Sequence, residues 1–192
     1  MNHFPGIDDD QFIRGPIPMT KQEIRMVVLC KAKIASHDIV IDIGAGTGSL
    51  SIEAGLLAPE GKVYAIEREP EGIELIKQNA SKFGIHNIEM INQSAPEALT
   101  DLPKANVIFV GGSGGKLASI LTVCNGLLEV GGRLLITAVT AETLTNSLTV
   151  VQEQNYVVDC SQIQVSRLKK VGKSHMFQAL NPIFIIACTK QA

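Results

Sequence analysis

The chain has 192 residues, 45% of them hydrophobic, and a formal net charge of −2. That length suits one domain with a full core, and the slightly acidic balance excludes a general nucleic-acid binder. No apolar run approaches the ~20 residues of a membrane span, and "MNHFPGIDDDQF" lacks the basic start and apolar core of a secretion signal, so a cytoplasmic protein without membrane contact is expected.

Residues 1–19 are rich in Pro and Gly and read as irregular. Thr20-Lys21-Gln22-Glu23 fits a capping box, with Met19 and Ile24 as its staple, and a helix is expected to run to about Ile34. Ile39–Ile43 reads as a buried strand, Ser49–Leu57 as a helix and Lys62–Ile66 as a second strand. Pro70 opens a helix that Gly84 closes. Strands are then expected at Asn87–Ile91 and Val107–Val110, and a helix at Leu117–Leu128. Gly131-Gly132 turns into the strand Arg133–Ala138, and Ala141–Gln154 reads as a helix. Tyr156–Val165 and Ile183–Cys188 read as strands with no helix between them.

Strands alternating with helices make a parallel sheet covered on both faces, and the directly joined last pair adds one antiparallel strand. Residues 1–192 are read as one domain, with 1–37 an N-terminal segment and capping helix and 38–192 the core. Cys30, Cys124, Cys160 and Cys188 contain no C-x-x-C pair and are expected to be buried thiols, with no metal site. After Asp159 no acidic residue occurs, while Arg167, Lys169, Lys170, Lys173 and Lys190 follow. That tract is either a solvated hairpin face or a site for an anionic substrate.

"DIGAGTGSLS", residues 42–51, follows the first strand and opens a helix. Gly44, Gly46 and Gly48 allow a sharp turn and a close ligand, and a side chain at Gly46 is expected to stand in the ligand's path. Glu67 ends the second strand, where a carboxylate accepts ribose hydroxyls. The spacing is not the dinucleotide G-x-G-x-x-G, since Ser49 holds its third position, and no P-loop lysine follows. Asp42 is expected to orient the glycine loop. Val107–Leu117, "VIFVGGSGGKL", has no acid, amide or aromatic where a methyltransferase would carry a base. Its glycines make either an anion cradle or room for the methionine part of a cofactor.

"D-x-G-x-G-T-G" with a distant acid resembles motif I of class I S-adenosylmethionine-dependent methyltransferases. "GPIPMTKQEIR" (15–25), "DIGAGTGSLSIE" (42–53), "FVGGSGG" (109–115) and "NPI" (181–183) together resemble the cobalt-precorrin C15-methyltransferases of cobalamin biosynthesis, the precorrin-6B type. The resemblance implies a Rossmann-like α/β fold with a seven-stranded, mostly parallel sheet. It implies methylation of carbon 15 of the tetrapyrrole and loss of carbon dioxide from the acetate at carbon 12. It implies S-adenosylmethionine held by Thr20, by Gly44, Ala45, Gly46, Thr47 and Gly48, by Glu67, and by Ser94 and Ala95 at the adenine, with Gly111 beside them. It also implies a homo-oligomer, with a tetramer as its form, and leaves open whether the carbon 5 methyltransferase is a separate partner chain.

A tetrapyrrole with many carboxylates needs cationic anchors, and Arg14, Lys21, Arg25, Arg167 and Lys169 are the candidates, with Gly112 beside them. A reduced ring carbon is already nucleophilic, so it needs placement more than a base, and no catalytic residue is assigned. Two other readings remain: a protein isoaspartate O-methyltransferase, and a non-catalytic S-adenosylmethionine-binding module.

Overall fold

The run Ile39-Val40-Ile41 is β-branched and apolar, a composition that suits a strand buried on both faces. It forms β1 (Ile39–Ile43) in the middle of a seven-stranded sheet. The computed structural model describes residues 3–192. The other strands are β2 (Lys62–Ile66), β3 (Ile88–Ile91), β4 (Ala105–Val110), β5 (Leu128–Ala138), β6 (Tyr156–Ile163) and β9 (Ile183–Lys190). Their order is β3-β2-β1-β4-β5-β9-β6, and only β9 runs antiparallel to its neighbours. The strand order reverses between β1 and β4, and in such sheets that switch point is where ligands sit.

Among the described residues, five α-helices cover the sheet: α1 (Gln22–Ala32), α2 (Ser49–Leu57), α3 (Pro70–Phe83), α4 (Leu117–Leu127) and α5 (Ala141–Gln152). Alternation along the strands divides the core. Val40, Val107 and Phe109 pack with Val28 and Leu50 of α1 and α2. Ile41, Ile108 and Val110 pack with Leu121 of α4 and Val151 of α5. As expected, Pro70 sits at the first position of α3, and Gly84 ends it in a left-handed conformation at φ +65°.

The capping box does not form. Helix α1 starts after Lys21, and Glu23 is turned away onto Arg167. Asp9, thirteen positions upstream, accepts the Gln22 N–H at 2.9 Å instead. A local motif loses here to a tertiary cap. Helix α1 also ends at Ala32, because Lys33 is left-handed. Although β5 is counted from Leu128, its ladder breaks at the glycines: Gly131 has φ +78°, and regular pairing with β4 and β9 resumes at Arg133, as expected. Between β6 and β9 lies a separate hairpin, β7 (Ser166–Val171) with β8 (Ser174–Ala179), which turns at Gly172 with φ +60°. Cys124 and Cys188 are buried thiols as expected, but Cys30 and Cys160 are exposed.

Candidate active site

The two glycine loops meet at the switch point. A Cβ on Gly44 would stand 2.7 Å from the Gly112 nitrogen, and Gly44 has φ +73°. Only glycine satisfies both conditions. The Gly44 and Ala45 N–H groups donate to the Ile66 carbonyl at 2.9 and 3.0 Å, which holds the first loop over the end of β2. Asp42 is buried and accepts a 2.5 Å bond from the Ser51 hydroxyl, tying β1 to the first turn of α2. Burial, with the neighbouring Glu67 charge adding to it, pushes the Asp42 carboxyl up to about 6.

Glu67 leaves β2 directly under the loop. Its Oε2 accepts from the Gly46 N–H at 2.9 Å and its Oε1 from the Glu69 N–H at 3.0 Å. A carboxylate has further lone pairs, so both oxygens keep capacity for ribose hydroxyls. Gly72 makes this placement possible, since a Cβ there would lie 2.5 Å from the Glu67 Cγ.

Above these loops opens a cavity of about 690 Å³. Thr20 and Lys21 form one wall; Gly44, Ala45 and Gly46 form its floor; Glu67, Ser94 and Ala95 form another side; Gly111 and Gly112 reach it from β4. Thr47 and Gly48, expected among the cofactor contacts, do not line it. The Thr47 side chain is buried, its carbonyl accepts from Asn79, and a Cβ on Gly48 would meet Ile76 at 2.9 Å. Both therefore seat the loop on α3. A Cβ on Gly46 would meet the Pro18 carbonyl at 2.8 Å, so a side chain there first displaces the N-terminal wall rather than a ligand.

The cationic anchors divide sharply. Lys21 lines the cavity. Arg25 is fully buried: its Nε bonds Glu53 at 2.9 Å, its Nη1 bonds Asp9 at 2.8 Å, and Phe12 stacks 4.7 Å from its guanidinium. It is therefore a structural ion pair and not a substrate anchor. Arg167 is held by Glu23 at 2.5 Å and Asp9 at 3.0 Å, so its fork is already occupied. Its guanidinium in turn holds the Glu23 carboxyl below the usual range. Arg14 and Lys169 are exposed and lie outside the cavity lining.

Two cavity cations escaped the reading of the sequence, Arg68 and Lys116. Arg68 crosses to the second glycine loop, with its Nη1 3.0 Å from where a Gly114 Cβ would be. Lys116 follows that loop directly and pairs with Glu97 at 2.7 Å. Their positions next to Glu67 and to the glycine run were the available signals. Asn181, from the "NPI" stretch, also reaches the cavity. A carboxylate under a glycine loop, a bare floor and three cations at the rim suit a nucleoside-bearing methyl donor beside a polyanionic acceptor. Glu67, held by the Gly46 N–H at the edge of an open cavity, is a carboxylate placed for ribose hydroxyls, so the residues present fit S-adenosylmethionine.

Known proteins resemble this chain along nearly its whole length. A Salmonella typhi protein named cobalt-precorrin-6B C(15)-methyltransferase (decarboxylating) is 40% identical over 95% of each chain. A Sulfurisphaera tokodaii protein, named as a probable enzyme of the same kind, is 40% identical over 95% of this chain and 96% of its own. The crystal structure of a precorrin-6y C5,15-methyltransferase from Geobacter metallireducens GS-15 superposes with a TM-score of 0.92 at 37% identity, covering 98% of this chain and 100% of its own. Residues 12–190 match the family described as the precorrin methyltransferase domain, and the chain belongs to that family of S-adenosylmethionine-dependent methyltransferases.

Proposed function

We propose that this chain methylates carbon 15 of cobalt-precorrin-6B and decarboxylates the acetate arm at carbon 12. The observation that carries the reading is the end of β4. It delivers Gly111 and Gly112 to the cleft, with no acid or base in that stretch. An acceptor there must already be nucleophilic, as a reduced tetrapyrrole carbon conjugated to a ring nitrogen is. S-adenosylmethionine, when bound, supplies an electrophilic methyl group. The chain's own part is placement: Glu67 and Ser94-Ala95 fix the nucleoside, and Lys21 holds acceptor carboxylates at the rim, with Arg68 and Lys116 turning to them from their exposed partners Glu69 and Glu97. Incubation with cobalt-precorrin-6B and S-adenosylmethionine, followed by mass spectrometry, tests this. A product with one methyl gained and one carbon dioxide lost is expected. Methylation of an isoaspartyl peptide, or cofactor binding without turnover, would support the other two readings.

The working form we infer is a homo-oligomer in the cytoplasm, one domain per chain. Among the described residues no helix is long and apolar enough to cross a membrane. The β7–β8 hairpin exposes Leu168, Val171, Met176 and Phe177, and an isolated two-stranded hairpin needs a packing partner. Packing of these hairpins between copies, as in a tetramer, would bury them. The Geobacter relative's name pairs carbon 5 methylation with carbon 15, which supports a functional partnership with a carbon 5 methyltransferase.

A further inference from the structure

A small annex opens off the main cavity at the ends of β4 and β5. Its volume is about 90 Å³, and it shares Gly111, Gly112, Ser113, Thr137 and Val139 with the cavity. At ~30 Å³ per water, it holds a group the size of a carboxylate. No ionisable side chain lines it. The three cations of the main cavity, Lys21, Arg68 and Lys116, are absent from it, and Lys116 is turned onto Glu97. The annex does offer hydroxyls. Ser113 and Thr137 are half-buried there, and Thr143, bonded to Thr140 at 3.0 Å, completes the set. Leu117 and Thr143 stand in the first turns of α4 and α5, whose N-terminal dipoles favour an entering anion.

We propose that this annex seats the carboxylate arm that is lost as carbon dioxide, with Ser113 and Thr137 as its neutral hydrogen-bond partners. The inference rests on the methyltransferase and decarboxylase reading above. Rim cations hold the carboxylates that must survive. An ion pair stabilises a carboxylate but not neutral carbon dioxide, so a cation at the reacting arm would oppose its loss. Partial charges and hydroxyls orient the arm at a smaller penalty than a full cation. In the step itself, the bond between the arm's methylene and its carboxyl carbon breaks, and carbon dioxide departs. The electron pair left behind moves into the conjugated ring. That ring gained a methyl group as a cation and so carries one positive charge, which the pair neutralises. A proton taken up at the methylene carbon and one given up by the ring complete the methyl group with no net change.

The test places a full positive charge at the annex mouth. Val139 is 64% exposed, so Val139→Lys is tolerated by the fold. Single-turnover reactions with S-adenosylmethionine and cobalt-precorrin-6B are analysed by mass for methyl gained and carbon dioxide lost. Val139→Lys is expected to lower carbon dioxide released per methyl transferred at least ~10-fold, with a methylated product that keeps its carboxylate. Val165→Lys, on the main cavity but outside the annex, is expected to keep the wild-type ratio. Thr137→Val, which keeps shape and removes a hydroxyl, is expected to lower the ratio ~3-fold. An unchanged ratio in both annex variants, or an equal fall in Val165→Lys, overturns the proposal. Wild-type protein that methylates without releasing carbon dioxide overturns the functional reading instead.

Discussion

Arg25 and Glu53, 28 positions apart, form an ion pair at 2.9 Å in which neither side chain is exposed to solvent. Glu53 also accepts the Gly6 N–H at 2.7 Å, and Arg25 also binds the carbonyls of Ile7 and Thr20. The pair therefore fastens the N-terminal segment, which carries the Thr20–Lys21 wall of the cavity, to α1 and α2.

Removing Arg25 leaves the buried Glu53 charge with only the Gly6 N–H and His3 beside it. Arg25→Met is expected to cost about 3–5 kcal/mol, read as a lower urea midpoint. A variant as stable as wild type would mean the pair is dispensable.

Arg167 offers the opposite case. Its side chain is 41% exposed, so loss of its bonds to Glu23 and Asp9 is expected to cost no more than ~1 kcal/mol in Arg167→Ala. The Michaelis constant for the tetrapyrrole should not change. Lys21→Ala and Arg68→Ala should raise it, and flatten its salt dependence, because their charges face the cavity. Steady-state kinetics at two ionic strengths separate the three variants, and a raised constant in Arg167→Ala alone would reverse this assignment.

Glu67→Ala should weaken S-adenosylmethionine binding by ~1–3 kcal/mol, the scale of a lost hydrogen bond to a charged group. Titration calorimetry measures it directly. Equal affinity in the variant would remove Glu67 from the cofactor site.

Gly44→Ala should destabilise the protein by at least ~2 kcal/mol, since φ is +73° and its Cβ would press on backbone at Gly112. Thermal melting without any ligand reads this. A melt unchanged from wild type would show that the loops can part without cost.

Asp42 predicts a pH dependence. Its folded-state carboxyl lies at about 6, above the ordinary value of 3.8. Between those values the unfolded chain is ionised and the folded chain still holds its proton, so this contribution to stability is lost as pH rises from about 3.8 to about 6. Above that range both states are ionised and the deficit stays constant. Asp42→Asn, which cannot ionise, should gain stability relative to wild type across that window. Denaturation of both proteins between pH 4 and 7 checks it, and a constant difference would place the titration elsewhere.

The local pattern determined much of this molecule. Pro70 and Gly84 bracket α3, and the apolar run at 39–41 marks a strand buried from Val40 onward. Glu67 and the glycines at 44, 46, 111 and 112 were legible because few functions need so bare a backbone after a strand. What neighbours in sequence do not encode is which charges meet. Arg25 and Arg167 carry the same side chain as any anchor, and only the fold brings Asp9, Glu23 and Glu53 to them and takes them out of service. The same holds for the cap on α1, which Asp9 supplies across thirteen residues. Gly48 shows the limit for backbone too: its glycine was legible, but its reason, contact with Ile76, exists only once α3 packs. Local propensity acts over a few residues, whereas desolvation and ion pairing depend on distances that the tertiary structure alone sets.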